Sequence, residues 1–434
     1  MRIDLSRGWP RASFLAGVIF VSGTFTFFAA KTYLAAAWDG STKPELWRKA
    51  TRLEPGNAEY WGHVGASQLW DLEPRRIQEA LRNLRKATEV NPRSADLWME
   101  LADAYLSSGD PAHAQEAFEK AQANYPMSAE VAWRYGSFLI YQGKLPEGYA
   151  QLYRAISIEP SRTQNAIAVC WQVSVDVATI LDNVLPGKSS YYREAIDFFL
   201  SRNLLGPALT VSNRQQQLGL PMELAHTTPL VDALLDHERL SDARRIWQTA
   251  LKTASWPLDS TDTGSLVFNG GFENGIANGG FDWRELPVSA AKFECDEAEA
   301  HSGSRSLRIE FDGTTNLDFE HLFQYVVVDP ATHYHFSAYL RTEGISTDRG
   351  MRFDILEPQQ HSQTRIPTQE LRGTNPWTRV EADLITGPST HLLKITLQRA
   401  PSSKFDNKLR GTVWVDDVSL SPVATHVEGR LDPR

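Results

Sequence analysis

The sequence predicts a multidomain α plus β protein: a single N-terminal membrane helix, a superhelix of stacked helical pairs, and a C-terminal antiparallel β-sandwich. Three observations predict it. Residues 12–30 hold no charged side chain, Pro92, Pro126 and Pro160 recur at a spacing of 34 residues, and beyond residue 265 the hydrophobic pattern changes to a period of two. A chain of 434 residues is longer than one core usually supports. With 42% hydrophobic and 22% charged residues it has an ordinary globular composition. Its net charge of -9, with no segment rich in Lys and Arg, argues against a nucleic-acid partner. Cys170 and Cys295 fit neither a zinc knuckle nor a disulfide framework, and both are expected as buried thiols.

The apolar run contains Phe14, Leu15, Val18, Ile19, Phe20, Val21, Phe25, Phe27 and Phe28. Its nineteen residues, at about 1.5 Å each, nearly match a hydrocarbon core of about 30 Å. Arg2, Arg7 and Arg11 precede it against one acid, Asp4, which places the N-terminus (1–11) in the cytoplasm and the bulk of the chain outside the inner (plasma) membrane. A signal anchor over 12–37 is the expectation. The alternative is a cleaved signal peptide, for which Leu34 to Ala37 offers small residues, but the run is longer than the roughly 7 to 15 residues such peptides use. Both readings export the rest.

Within 41–254, Ala87, Ala121 and Ala155 share the 34-residue register of the prolines, as do Gly109 and Gly143. The clearest copy runs from Ser94 to Pro126. Trp98, Leu101, Ala102 and Tyr105 mark a first helix, Gly109 a turn, Ala114, Phe118 and Ala121 a second helix, and Pro126 its end. Small side chains let two helices approach, large aromatics fill the space between pairs, and proline stops the second helix for want of an amide hydrogen. This copy resembles the tetratricopeptide repeat (TPR) family. The copy after it keeps Gly136, Gly143, Ala155 and Pro160; the copy before keeps Trp61, Gly65, Ala80, Ala87 and Pro92 with three extra residues in the Trp70 to Arg76 turn. Trp47, Ala50 and Pro55 read as a half repeat, a second helix standing alone. From 161 to 255 the period fades, though Tyr192, Ala195, Phe198 and Phe199, and then Ala243, Trp247 and Ala250, keep a helical pattern. The resemblance implies a groove that binds a protein partner; the other reading is a spacer without a ligand.

Residues 255–264 read as a polar linker, and 265–422 as a sandwich, with a tail at 423–434. Leu307, Ile309 and Phe311 alternate with polar residues, as do Tyr334, Phe336, Ala338 and Leu340, then Met351, Phe353 and Ile355, then Leu393, Ile395 and Leu397. The phrases NGGFENG (269–275), SGSRSL (302–307) and VWVDDVSL (413–420) make this region resemble the galactose-binding-like jelly rolls of carbohydrate-binding modules, families 4, 9 and 22. The resemblance implies a structural calcium at Glu273 and Asp416 with Asp417, though no cofactor is required. It also implies a sugar cleft. On strand faces opposite the core, alternation offers Tyr339, Arg352, Asp354 and Gln398, with Gln324 on a neighbouring segment, as planar and polar partners for hydroxyls. Trp283 and Trp377 read as core rather than as platforms, and the spacing of His321, His333 and His335 suits alternating strand faces and loops more than a metal site.

No nucleophile elbow, HExxH, Walker loop or dinucleotide fingerprint occurs, so no enzyme is expected. The sequence therefore points to a non-catalytic, membrane-anchored scaffold that holds a protein partner and a cell-envelope or exported polysaccharide. Two alternatives stand beside it: a protein-interaction factor with a purely structural sandwich, and a cryptic glycan-active enzyme.

Overall fold

A computed structural model describes residues 8–41, 43–69, 74–253, 264–358 and 365–423. Arg2, Asp4 and Arg7, the insertion at 70–73, most of the 255–264 linker and the tail from 424 lie outside the described residues. The chain divides into two compact units, Met1–Pro186 and Gly187–Arg434.

The first unit is helical: α1 (Gly8–Asp39), α2 (Pro44–Leu53), α3 (Ala58–Leu69), α4 (Pro74–Val90), α5 (Ala95–Ser107), α6 (Pro111–Asn124), α7 (Ala129–Tyr141), α8 (Leu145–Ile158), α9 (Thr163–Val173) and α10 (Val177–Asn183). The repeat register has a local cause at each end. Ser94 and Ser128 accept the amides of Leu97 and Val131 and so start α5 and α7. Pro44, Pro111 and Pro146 lie in the first turns of α2, α6 and α8, where a missing amide hydrogen costs nothing. Between paired helices the amide of Asp110 donates to the Tyr105 carbonyl across Gly109, whose φ of 77° is left-handed. Lys144 and Leu139 close the same turn around Gly143.

Packing follows the signature. Leu101, Ala102, Tyr105, Ala114, Phe118 and Ala121 are buried, and the Phe118 ring lies 5.7 Å from Tyr135 and 5.3 Å from Phe138 of the next pair. Trp98 is half-buried, with its indole N–H donating to the Pro92 carbonyl. The half repeat is corrected. α2 does not stand alone: Ala35 of α1 is fully buried against Ala50 and Tyr60, with Trp38 and Leu53 beside them. The apolar helix thus runs without a break into the first helical pair, and Ala35, expected within the anchor, faces protein, as does Trp38 just beyond it.

The second unit opens with α11 (Ser189–Leu200), α12 (Leu205–Gln217), α13 (Leu224–Asp236) and α14 (Leu240–Thr253). Within the α11–α12 and α13–α14 hairpins the turns keep the earlier hydrogen bonds, Leu204 to Phe199 and Arg239 to Leu234, but the left-handed residues are Asn203 (φ 56°) and Glu238 (φ 57°), while the turn between the hairpins keeps a glycine, Gly219 (φ 64°). The hairpins persist where the glycine signal is gone.

Among the described residues ten strands follow: β1 (Arg284–Glu285), β2 (Ala291–Asp296), β3 (Ser306–Asp312), β4 (Phe319–Val327), β5 (His333–Ile345), β6 (Arg352–Leu356), β7 (Arg365–Pro367), β8 (Gly373–Ile385), β9 (Leu392–Arg399) and β10 (Arg410–Pro422). They form two five-stranded sheets, β1-β4-β9-β6-β7 and β2-β3-β10-β5-β8, with antiparallel pairing throughout. Phe272, Trp283, Phe319, Phe336 and Phe353 fill the space between them. Trp283 is core, stacked 5.3 Å from Phe272. Cys170 is buried but Cys295 is exposed, because β2 is an edge strand whose inner face overhangs the core.

Candidate functional site

Strand register decides which predicted residues meet. On the outer face of the first sheet, Phe323 stands opposite Thr396, Thr396 opposite Asp354, and Gln398 opposite Arg352. Arg352, Asp354 and Gln398 are therefore brought together as expected. Arg352 donates through Nε to Asp354 Oδ1 at 2.8 Å and through Nη2 to Gln398 Oε1 at 2.9 Å. Asp354 is fully buried, and its second oxygen accepts Arg365 Nη1 at 2.9 Å. Arg365 in turn reaches Glu320 at 3.2 Å. A buried carboxylate held by two guanidinium groups fixes both planar donors against the sheet.

Beside this cluster lie residues that alternation alone did not single out. Phe323 and Tyr325 meet edge to face at 5.6 Å, Lys394 Nζ sits 4.0 Å from the Phe323 centroid, and the Arg284 guanidinium 4.9 Å from that of Tyr325. Burial holds the Lys394 ammonium below its usual pKa. Between aromatics and carboxylate sits Thr396, 1% exposed, whose Oγ1 has no hydrogen-bond partner among the described residues. An unmade bond at a buried hydroxyl costs about 1–3 kcal/mol, so the position stores a cost in the fold.

Of the other two predicted cleft residues, Gln324 is corrected and Tyr339 lies in a different sheet. Gln324 stands opposite Ile395, on the core side of β4, and is fully buried. Its amide accepts the Phe268 N–H at 3.0 Å and donates to the Phe268 carbonyl at 2.8 Å, so it ties down the segment entering the sandwich. Tyr339 belongs to β5 in the other sheet, stacked on His301 with centroids 3.5 Å apart. It lines a cleft of about 740 Å³ shared with Trp247 and Gln248 of α14, Arg379 of β8 and Tyr325 of β4.

Glu273, Asp416 and Asp417 converge around Gly271. β10 bulges after Asp416, with Asp417 at φ 47°, and Gly270 passes so close that a Cβ would lie 2.0 Å from the Val418 carbonyl. The acids already have partners in the loop before β3. Glu273 accepts the Ser304 amide and hydroxyl, Asp416 the amides of His301 and Ser302, and Asp417 the Ser302 hydroxyl, with His301 Nδ1 at 2.6 Å. Among the described residues no three His, Cys, Asp or Glu side chains form a group placed to hold a metal. Burial, and then Asp417, push Asp416 up to about 6.

In the first unit, helices α3, α5 and α7 carry Glu59, Asp96, Glu100, Asp103 and Glu130, with Arg134 on α7 and Arg162 in the turn after α8. Arg134 pairs with Asp103, and Arg162 with Glu130 at 2.9 Å. Glu100 Oε2 is buried with no partner among the described residues, and burial raises its pKa.

The tetratricopeptide repeat family model matches residues 71–134. No curated protein matches the sequence. Among solved structures, one reported as "CBM4 structure and function" is similar over 36% of this chain and 99% of its own, at 15% identity and a TM-score of 0.28. PilF of Pseudomonas aeruginosa is similar over 46% of this chain and 93% of its own, at 22% identity and a TM-score of 0.26. MamA is similar over 41% and 86%, at 16% identity and a TM-score of 0.26.

Proposed function

We propose that this chain, with tetratricopeptide repeats in its first unit and a two-sheet sandwich in its second, is a non-catalytic membrane-anchored scaffold outside the inner membrane. The repeats hold a protein partner. The acid excess on the first-helix face, with the unpaired Glu100 oxygen, favours a segment carrying Lys or Arg. The outer face of the β4, β9 and β6 sheet holds a polysaccharide of the cell envelope or in export. One observation carries the second part: an aromatic pair, an unpartnered buried hydroxyl and a rigid Arg352–Asp354–Arg365 array lie side by side on one face. That is the chemistry a pyranose needs, with an apolar surface for its ring face and fixed planar groups for its hydroxyls.

The test is affinity electrophoresis and glycan-array binding of the detergent-solubilised full chain. Retardation by a polysaccharide that disappears in Phe323→Ala and Thr396→Val supports the reading. Binding to no glycan, or binding indifferent to both substitutions, sinks it. A structural sandwich has its own support: Asp232 of α13 pairs with Arg284 and accepts the Gly280 amide at 2.8 Å, so helices clasp the β1 edge of this face.

A further inference from the structure

We infer that the turns leading from each second helix of the first unit to the next first helix form a membrane-contacting edge, seated in the headgroups of the bilayer that α1 crosses. The inference rests on the reading of α1 as a membrane span. Gly8–Asp39 is one continuous helix, and Arg11–Asp39 is long and apolar enough to cross. Ala35, where α1 enters the repeat core, lies five residues past the end of the uncharged run at Ala30, about 7 Å along the axis.

From that contact the chain turns back. α2 runs antiparallel to α1, and Thr32 Oγ1 donates to Glu54 Oε1 at 2.6 Å, which sets the turn after α2 level with the first residues beyond the apolar run. Lys31 lines one depression with Gly56 and Asn57 of that turn and with Val90 and Asn91 of the next. The third turn adjoins the second, since Asn124 Nδ2 donates to the Pro92 carbonyl at 2.8 Å. The headgroup layer on each side of a bilayer is about 5–8 Å deep, so turns at the level of Lys31 lie inside it.

The side chains on this edge suit that layer. Tyr125 is 62% exposed and Met127 71%, flanking Pro126 in the third turn. Trp61 and Trp98 lie half-buried at the same edge, each indole N–H donating to the proline carbonyl of the turn before it, at 3.0 and 2.9 Å. A single exposed apolar side chain needs no explanation. A row of amphipathic aromatics and a methionine, on the one edge that α1 brings to the bilayer, matches the interfacial belt. α7, which starts from the third turn, rises 13 residues, about 20 Å, to the exposed Tyr141 at its far end.

The test uses the full chain in vesicles of phosphatidylethanolamine and phosphatidylglycerol that contain a nitroxide-headgroup lipid. In a Cys295→Ser background, where the buried Cys170 escapes reagent, bimane is attached through Gly56→Cys, Met127→Cys or Tyr141→Cys. Headgroup quenching at 56 and at 127 at least about threefold stronger than at 141 supports the inference. Quenching at 56 but not at 127, or equal quenching at 127 and 141, overturns the membrane edge and leaves the span intact. Absence of quenching at all three, with release of the chain by alkaline carbonate, overturns both.

Discussion

Thr396→Val removes the hydroxyl that has no partner and keeps the shape of the side chain. Thr396 is 1% exposed and lies on β9 between Phe323 and Asp354, so the added methyl enters space the hydroxyl already occupies. The buried, unbonded oxygen costs the fold about 1–3 kcal/mol, and valine recovers most of it while favouring the strand. For a folding unit of this size, about 1 kcal/mol corresponds to about 2–4 °C. We expect a melting temperature about 2–6 °C higher by differential scanning calorimetry, together with weaker binding of any glycan the parent protein retains. A melting temperature that falls, or binding that survives unchanged, would refute the account of Thr396 as a site-forming strain.

Four further outcomes follow from the geometry. Gly280 has φ 62°, and a Cβ there would lie 2.3 Å from the Trp247 ring, so Gly280→Ala should destabilise the second unit by about 2–4 kcal/mol in urea unfolding; a loss below about 1 kcal/mol would contradict the contact. Asp416 has a folded pKa of about 6, above its ordinary 3.8, so its contribution is full below about pH 4 and lost as pH rises through about 6. Relative to Asp416→Asn, the parent protein should lose up to about 3 kcal/mol between pH 4 and 7; a difference that stays constant across that range would exclude the raised pKa. Maleimide at neutral pH should modify Cys295 and leave Cys170, whose thiol burial pushes up to about 12, as peptide mass mapping would read directly. Because the loop before β3 already occupies Glu273, Asp416 and Asp417, millimolar calcium should leave the melting temperature unchanged; a rise reversed by chelator would show that the loop gives way to an ion.

Much of the helical fold is legible because its signals are local. A proline, a serine cap and a left-handed glycine act within four residues, and they mark the helices from Ala95 to Ile158. The same geometry at Asn203 and Glu238 carries no such mark, since residues other than glycine adopt it when tertiary packing compensates, and the period fades there in sequence but not in space. The role of α1 escaped because Ala35 and Trp38 read equally well as lipid-facing or protein-facing. In the sandwich, Arg352, Asp354 and Gln398 are legible since their strands alternate cleanly. β4 does not: in the run Leu322, Phe323, Gln324, Tyr325, Val326 both faces are apolar or planar, and polarity points the wrong way. Gln324 goes inward because a backbone segment, invisible to local pattern, supplies both of its hydrogen bonds. Tyr339 shows the complementary limit, since alternation reports which face a side chain takes and never which of two sheets it belongs to.

The ring of Trp247 stands edge-on to Phe268 at 5.4 Å and Phe281 at 6.1 Å, over Gly280, while Asp232 holds Arg284. The last helical hairpin is therefore part of the seam that closes the sandwich. A β-module lifted out at residue 265 would carry two uncovered phenylalanines and an arginine stripped of its counter-charge. Such a fragment is a poor cassette for shuffling between proteins, and sticky by itself. Exchange, by recombination or at the bench, has to cut ahead of α13, so that hairpin and sheets move as one heritable piece.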